Sequence, residues 1–239
     1  MLRHAAYITR RESGCYHHRV LSLVIPTLNA AAALPATLAS LEERPAASQI
    51  IVSDGGSGDG TVRLARQAGL SVVEAPRGRG SQLAAGAAAA TGDWLLFLHA
   101  DTIPAPGWAG IVARHCADHP QHAAYFRFAL DDAAQAARRL EALVAWRCRV
   151  FALPYGDQGL LISASLYREV GGFRALPLME DVDLVRRLGR DRLAALDHPA
   201  ITSAQRYRGG YVRRSLRNLA CLSLYFAGLP PARIARLYG

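Results

Sequence analysis

The sequence predicts a three-layer α/β/α fold: a mostly parallel central sheet with helices on both faces and further helices at the C-terminus. Three observations predict it. Short apolar runs alternate with helical segments every 20 to 25 residues through the first hundred positions, which is the rhythm of repeated strand–helix–strand units. The runs at 20–25 and 94–98 are apolar nearly throughout, as expected of strands covered on both faces. A chain of 239 residues that is 51% hydrophobic can also bury one continuous core, so a single domain over 20–239 is expected.

The elements follow from local signals. Residues 20–25 form a strand-like run stopped by Pro26, and 30–43 has helical composition and apolar spacing. A second strand is expected at 49–53, a helix at 59–68, a third strand at 70–74, an alanine-rich helix at 81–90 and a fourth strand at 94–98. The rhythm then changes. Residues 106–116 look helical, 123–130 read as a longer strand, and 133–151 as a helix with Leu140, Leu143, Val144, Arg147 and Val150 at helical spacing. A loop at 153–159 leads into a short strand at 160–163, and a helix begins near Met179-Glu180-Asp181. The tail, 210–238, reads as two helices separated by Pro230-Pro231.

Charge and cysteine usage bound the setting. Twenty-eight arginines and no lysine stand against 19 acids, for a net charge of +9. The excess lies at the two ends: residues 1–20 contribute +3, residues 21–185 contribute −3 and residues 186–239 contribute +9. A basic, partly apolar C-terminal third suits an anionic substrate or an anionic membrane surface. No nucleic-acid-binding module is present, so nucleic acid is not an expected partner. Residues 1–19 read as a flexible basic arm without the apolar run of a secretory signal. Cys15, Cys116, Cys148 and Cys221 show no spacing typical of zinc or disulfide frameworks, which fits a reduced cytoplasm. The apolar stretch 216–229 is too short to span a bilayer. The helix starting at Gly210, with Arg213, Arg214 and Arg217, has two readings: packing on the core, or peripheral contact with the inner face of the membrane.

Four segments carry candidate chemistry. Asp54 ends the second strand and precedes Gly55-Gly56-Ser57-Gly58-Asp59-Gly60-Thr61. Such glycines permit a sharp turn and close approach to a ligand, with helix N–H groups offered to an anion; equally, Asp59 can simply cap the helix. With Glu74 further on, the same segment imitates a dinucleotide-binding unit, although Gly56, Gly58 and Gly60 have the wrong spacing. The strand at 94–98 leads into His99-Ala100-Asp101, which places an acid at the sheet edge where open α/β folds bind ligands. Asp54 and Asp101 emerge on the same edge. Glu180, Asp181 and Asp183 at a helix start either complement the helix dipole or supply a general base with a neighbour that tunes it. Arg77-Gly78-Arg79-Gly80 is a basic loop for a diphosphate or an exposed turn. His115, Cys116, His119 and His122 look metal-like, but Pro120 interrupts their helix, so a solvated helix end is expected.

Together these motifs resemble a known family. Leu23-Val24-Ile25-Pro26-Thr27-Leu28-Asn29, Ile51-Val52-Ser53-Asp54-Gly55-Gly56-Ser57, Phe97-Leu98-His99-Ala100-Asp101-Thr102 and Glu180-Asp181-Val182-Asp183-Leu184 occur in the order seen in family 2 inverting glycosyltransferases of the GT-A fold. His99-Ala100-Asp101, 154–159 and 177–183 further resemble the subgroup named for arsenosugar biosynthesis.

The resemblance implies a nucleotide-diphosphate-sugar donor bound by a half spanning 20–105, an acceptor half spanning 106–209 and C-terminal helices over 210–239. It implies Asp54 near the base, with Pro26, Thr27 and Asn29 lining the donor pocket. Asp101 matches the metal-binding acid of the family's D-x-D signature, holding Mg²⁺ or Mn²⁺ on the diphosphate, while His99 replaces the first acid. Asp181 matches the catalytic base, with Glu180 beside it. Arg77, Arg79 or a tail arginine would steady the departing diphosphate. Asp157 and Gln158, on the loop between donor half and acid pair, are the candidate acceptor contacts. Ala84 stands where many relatives carry asparagine, which would loosen donor contacts. Because of His99 and Ala84, a weakened nucleotide-binding protein is the alternative, ahead of a dinucleotide-dependent oxidoreductase.

Overall fold

The computed structural model describes residues 20–207 and 210–238; the basic arm expected at 1–19 lies outside the described residues. Its first half contributes β1 (Leu21–Thr27), β2 (Gln49–Asp54), β3 (Ser71–Glu74) and β4 (Trp94–Phe97). The second contributes β5 (Thr102–Pro104), β6 (Ala123–Leu130), β7 (Leu160–Ser163) and β8 (Leu193–Thr202). All eight join one sheet in the order β3-β2-β1-β4-β7-β6-β8-β5. β3, β2, β1 and β4 are mutually parallel. Beyond β4, strand β7 runs antiparallel to both neighbours, β8 is parallel to β6, and β5 is antiparallel to β8. The mostly parallel character therefore belongs to the first half, where helical crossovers link the strands.

Helices cover both faces, as the alternation of side chains along β1 requires. Leu21, Leu23 and Ile25 point to one face, where they bury with Leu34 of α1 (Leu34–Ser40) and with Trp108 and Val112 of α4 (Trp108–Asp118). Val24 points to the other, with Leu83 of α3 (Arg79–Ala88), Leu166 of α6 (Ala164–Glu169) and Leu184 and Leu188 of α7 (Glu180–Leu188). The short α2 (Thr61–Gln67) follows β2. The long α5 (Gln135–Phe151) packs Leu140, Val144 and Cys148 over Tyr125 and Phe128 of β6. Two C-terminal helices, α8 (Tyr211–Phe226) and α9 (Pro231–Tyr238), follow one another with a break at the proline pair, Pro231 opening α9.

Several elements depart from the sequence reading. α1 starts at Leu34 rather than near residue 30, because Pro35 lacks an N–H and suits only a helix's first turn. β8 was hidden by Asp197-His198-Pro199: the register with β6 jumps from Phe126 opposite Leu196 to Arg127 opposite Pro199, a bulge that absorbs the proline. β5 is three residues long at the sheet edge, where Pro104 is tolerated. α6 had a readable start, since the Ser163 hydroxyl caps it by accepting from the Leu166 N–H. His115 and Cys116 are buried rather than solvated. The His115 ring stands edge-on to Trp94, its Nε2 lies 3.0 Å from the His122 carbonyl, and burial pushes its pKa down.

Candidate active site

The ends of β1 and β4, the start of α3 and the loop before α7 enclose a cleft lined by Pro26, Thr27, Asn29, Arg77, Arg79, Gln82, His99, Asp101, Leu178 and Glu180. A second, inner pocket lies beyond it, between the 155–157 loop, the start of α7 and one face of α8, and includes Tyr155, Asp157, Asp181, Asn218 and Cys221. Arg79, His99, Leu178, Glu180 and Arg214 line both cavities, so the two meet. The sheet edge thus brings together Pro26, Thr27, Asn29, Arg79, His99, Asp101, Glu180, Asp181 and Asp157, which are scattered through the sequence.

Local geometry explains each placement. Asn29 adopts a left-handed backbone (φ 52°), and its side-chain oxygen accepts the Gly58 N–H at 2.9 Å, tying the end of β1 to the glycine turn. Asp101 follows β4 on a turn whose backbone is held by the Thr37 hydroxyl, donating to the Ala100 carbonyl at 2.7 Å. Met179 also has a left-handed backbone (φ 66°) immediately before the acid pair. Non-glycine residues held there carry strain that the surroundings must outweigh, a feature concentrated at functional sites.

The two acids share one buried environment beside Arg79. Glu180 is 2% exposed and lies 3.6 Å from Arg79. Asp181 has its pKa raised to about 7, first by burial and then by the Glu180 charge, against the lowering effects of Arg79 and the Gly156 N–H. That N–H donates to Asp181 Oδ2 at 2.9 Å. Desolvation works against the Arg79 charge, but Glu180, Asp181, Asp101 and Asp157 outweigh it and keep the guanidinium protonated. Gly156 has no room for a side chain: a Cβ there would sit 2.4 Å from His99 Nε2 and 2.9 Å from Asp181 Oδ2. Asp183, in contrast, is committed to Arg174 at 3.1 Å and Arg187 at 2.7 Å, and belongs to the frame.

Two expected contacts sit behind the cleft walls. Asp54 is 2% exposed and does not line the cleft. Its carboxylate accepts from the Thr27 and Ser57 hydroxyls and from the Gly56 and Ser57 N–H groups, which engages both of its oxygens. Burial raises its pKa, but these four donors lower it further, for a net fall. Gln158 is likewise 2% exposed; it donates to the Phe126 carbonyl and accepts from Arg147, so it shapes the loop from behind. The glycine turn also spends itself internally, because Gly58 donates to Asn29 and Asp59 accepts from Ala31 and Thr61. Ala84, half-buried on α3, packs against the core and does not line the cleft.

Gln82 and Arg147 also build the site, although neither reads as a site residue in the sequence. Gln82 reaches from α3 to the Thr27 and Ser53 carbonyls at 2.5 and 3.0 Å, buttressing the cleft floor. A lone glutamine in an alanine-rich helix was the available signal. Arg147 stacks 3.5 Å over the Tyr155 ring and holds the Leu153 carbonyl, building the 153–159 loop.

Urea unfolding reads the contribution of Asp54 to the frame. Asp54→Asn is expected to lower unfolding free energy by about 2 kcal/mol at pH 7, since amide nitrogen cannot accept and charge-assisted bonds are lost. A folded-state pKa below the unfolded one stabilises above about pH 4 and stops doing so as pH falls through the folded value. The deficit should therefore shrink in acid, read by urea unfolding across pH; a constant deficit would contradict the assignment.

Residues 22–168 match the family described as glycosyl transferase family 2. The chain belongs to glycosyl transferase family 2. Solved structures agree with the fold of this glycosyltransferase family. Residues 1–349 of S. aureus TarS align with a TM-score of 0.61 at 15% identity, covering 90% of this chain and 68% of that one. Glucosyl-3-phosphoglycerate synthase from Mycobacterium tuberculosis, solved with Mn²⁺, uridine diphosphate and glucosyl-3-phosphoglycerate, aligns at 0.60 and 22% identity, covering 89% and 81%. Against the longer S. aureus TarS the chain spans 41% of that protein's length. No curated protein matches. The central sheet and its covering helices are those of the GT-A fold, and the protein is a glycosyltransferase of that family.

Proposed function

We propose that the outer cleft holds the nucleotide-diphosphate-sugar donor and the inner pocket an acceptor hydroxyl, with transfer by inversion where they meet. One observation carries the reading: Asp181, with a pKa of about 7, faces the inner pocket directly behind the wall shared by both cavities. A base poised near neutrality is half ionised at working pH and accepts a proton with little cost. Asp181 takes the proton of the acceptor hydroxyl as its oxygen attacks the anomeric carbon. The carbon–oxygen bond to the diphosphate breaks from the opposite side, its electron pair leaves on the phosphate oxygen, and the anomeric configuration inverts. Arg79 and Arg214 face both cavities and offset the charge that develops on the leaving diphosphate. Glu180 holds Arg79 there and keeps Asp181 basic. Asp157, lining the inner pocket, is retained as an acceptor contact.

The residues fit a divalent cation that arrives with the donor. Among the described residues no three His, Cys, Asp or Glu side chains form a metal cage. A magnesium-type ion bound with substrate phosphates requires only one or two carboxylates. Asp101 would hold it, and the ion would act as a Lewis acid toward the diphosphate. His99 is 6% exposed under the 155–157 loop, so it supports the loop and the shared wall rather than replacing the missing acid. On this reading 20–105 supplies most of the donor site, completed by Leu178, Glu180 and Arg214, while 106–209 and α8 enclose most of the acceptor site. The finer likeness to the arsenosugar-type subgroup rests on 99–101, 154–159 and 177–183 and does not specify the acceptor.

Incubation with a panel of common nucleotide sugars, with and without Mn²⁺, is expected to release nucleoside diphosphate from at least one, more quickly with Mn²⁺. No release from any donor, unchanged by Asp181→Asn, would sink the proposal.

A further inference from the structure

Helix α8 carries apolar side chains on both its inner and its outer side, with Leu222 and Tyr225 packed inward against Val182 and Val185. Arg214, Asn218 and Cys221 turn inward to line the inner pocket. Outward, Val212, Leu216, Leu219 and Phe226 are 73%, 60%, 58% and 49% exposed, and their four- and three-residue steps put them on one stripe. The neighbouring α5 repeats the pattern: Leu143, Trp146 and Val150 share a stripe, and with Phe151 they are 41% to 55% exposed. The helices adjoin, since Tyr211 of α8 packs on the α5–β6 cluster and its hydroxyl donates to Asp132 just before α5. Single exposed leucines are ordinary, whereas eight large apolar side chains on two adjoining helices mark a binding surface.

Charge selects the occupant. Exposed Arg213 and Arg217 flank the α8 stripe, and exposed Arg139 and Arg149 lie on α5. Residues 198–239 hold seven arginines and no acid. Pairing this face with a second copy would set the α8 arginines against each other with no acid in that segment to offset them. Anionic phosphates above an acyl layer complement both the arginines and the apolar stripe.

We propose that the α5–α8 face rests on an anionic lipid bilayer, with Trp146, Leu216 and Leu219 entering the acyl boundary and Arg213 and Arg217 meeting headgroup phosphates. α8 then separates the inner pocket from lipid by one helix diameter, about 10 Å. No helix among the described residues is long and apolar enough to cross a membrane, so the contact is peripheral. The proposal does not depend on the transfer chemistry.

The test is sedimentation of the full chain with vesicles of phosphatidylcholine alone or mixed equally with phosphatidylglycerol. Binding is expected only to the mixed vesicles and should weaken with salt. Tryptophan emission should shift to the blue on binding, because Trp94 and Trp108 are 3% and 0% exposed and leave Trp146 as the reporter. Arg213→Ala and Arg217→Ala should each weaken partition roughly fivefold. Leu216→Asp with Leu219→Asp should abolish it, with the circular dichroism spectrum unchanged since both side chains are exposed. Failure to sediment with mixed vesicles, or undiminished binding by the double aspartate variant, would overturn the proposal. A dimer in light scattering that the same variant dissociates would reassign the face to self-association.

Discussion

Asp181→Asn is expected to cut sugar transfer about 10³-fold, within the 10²–10⁴ range of a lost general base, while leaving donor binding nearly intact. The substitution keeps shape and the bond from the Gly156 N–H, so lost activity would report lost basicity rather than a collapsed pocket. The wild-type rate should rise with pH through about 7, as Asp181 becomes ionised, and the residual rate of the variant should not. Stability supplies a second readout of opposite sign. An acid whose folded pKa lies above its unfolded value costs the native state free energy once it ionises there, so stability declines as pH rises from about 4 toward 7. Asp181→Asn should therefore raise the melting temperature at pH 8, with the gain fading in acid. An inactive variant that is also destabilised at pH 8 would make Asp181 a structural acid instead.

Asp101→Ala is the second large effect. The side chain lines the donor cleft, and its turn is pinned from α1 by Thr37, so the fold should survive. Loss of electrostatic support for a leaving group is typically worth about 10²–10³ in rate, or roughly 3–4 kcal/mol. The deficit should fall on kcat and should not be recovered by raising Mn²⁺. A parallel variant, His99→Ala, should reduce activity without changing the Mn²⁺ response, because His99 lies beneath the 155–157 loop. If Asp101→Ala keeps activity within threefold of wild type, or if His99→Ala alone removes the Mn²⁺ response, the diphosphate position has been misassigned.

Much of the fold was legible because it is written in local chemistry. The largely apolar run of β1, the fully apolar β4 and the alanine-rich α3 declare their type through composition, and the proline pair marks the break between α8 and α9. β8 was illegible for the complementary reason: Asp197, His198 and Pro199 are poor strand formers, and only the β6 partner with its bulge makes them a strand. The same division runs through the site. Asp101 and the acid pair could be found at a strand end and a helix start. Gln82 and Gly156 could not, since their importance lies in distant carbonyls and in a ring and carboxylate that leave no room for a Cβ.

By itself the sequence determined the alternation of strands and helices, the family motifs, and the residue types able to carry charge or accept a proton at the sheet edge. The tertiary structure decided which of those groups are available. Asp54 and Asp181 are both aspartates beside a glycine-bearing loop, yet the first is saturated by four donors and held ionised, whereas the second receives one N–H, faces Glu180 and is driven toward neutral pKa. α8 carries apolar and charged residues on several faces in sequence, and packing turned Arg214, Asn218 and Leu222 inward and left Leu216, Leu219, Arg213 and Arg217 outside. The physical reason is common to both cases. Desolvation, hydrogen-bond saturation and the choice of buried face are sums over neighbours brought from distant parts of the chain, and no local pattern contains those neighbours.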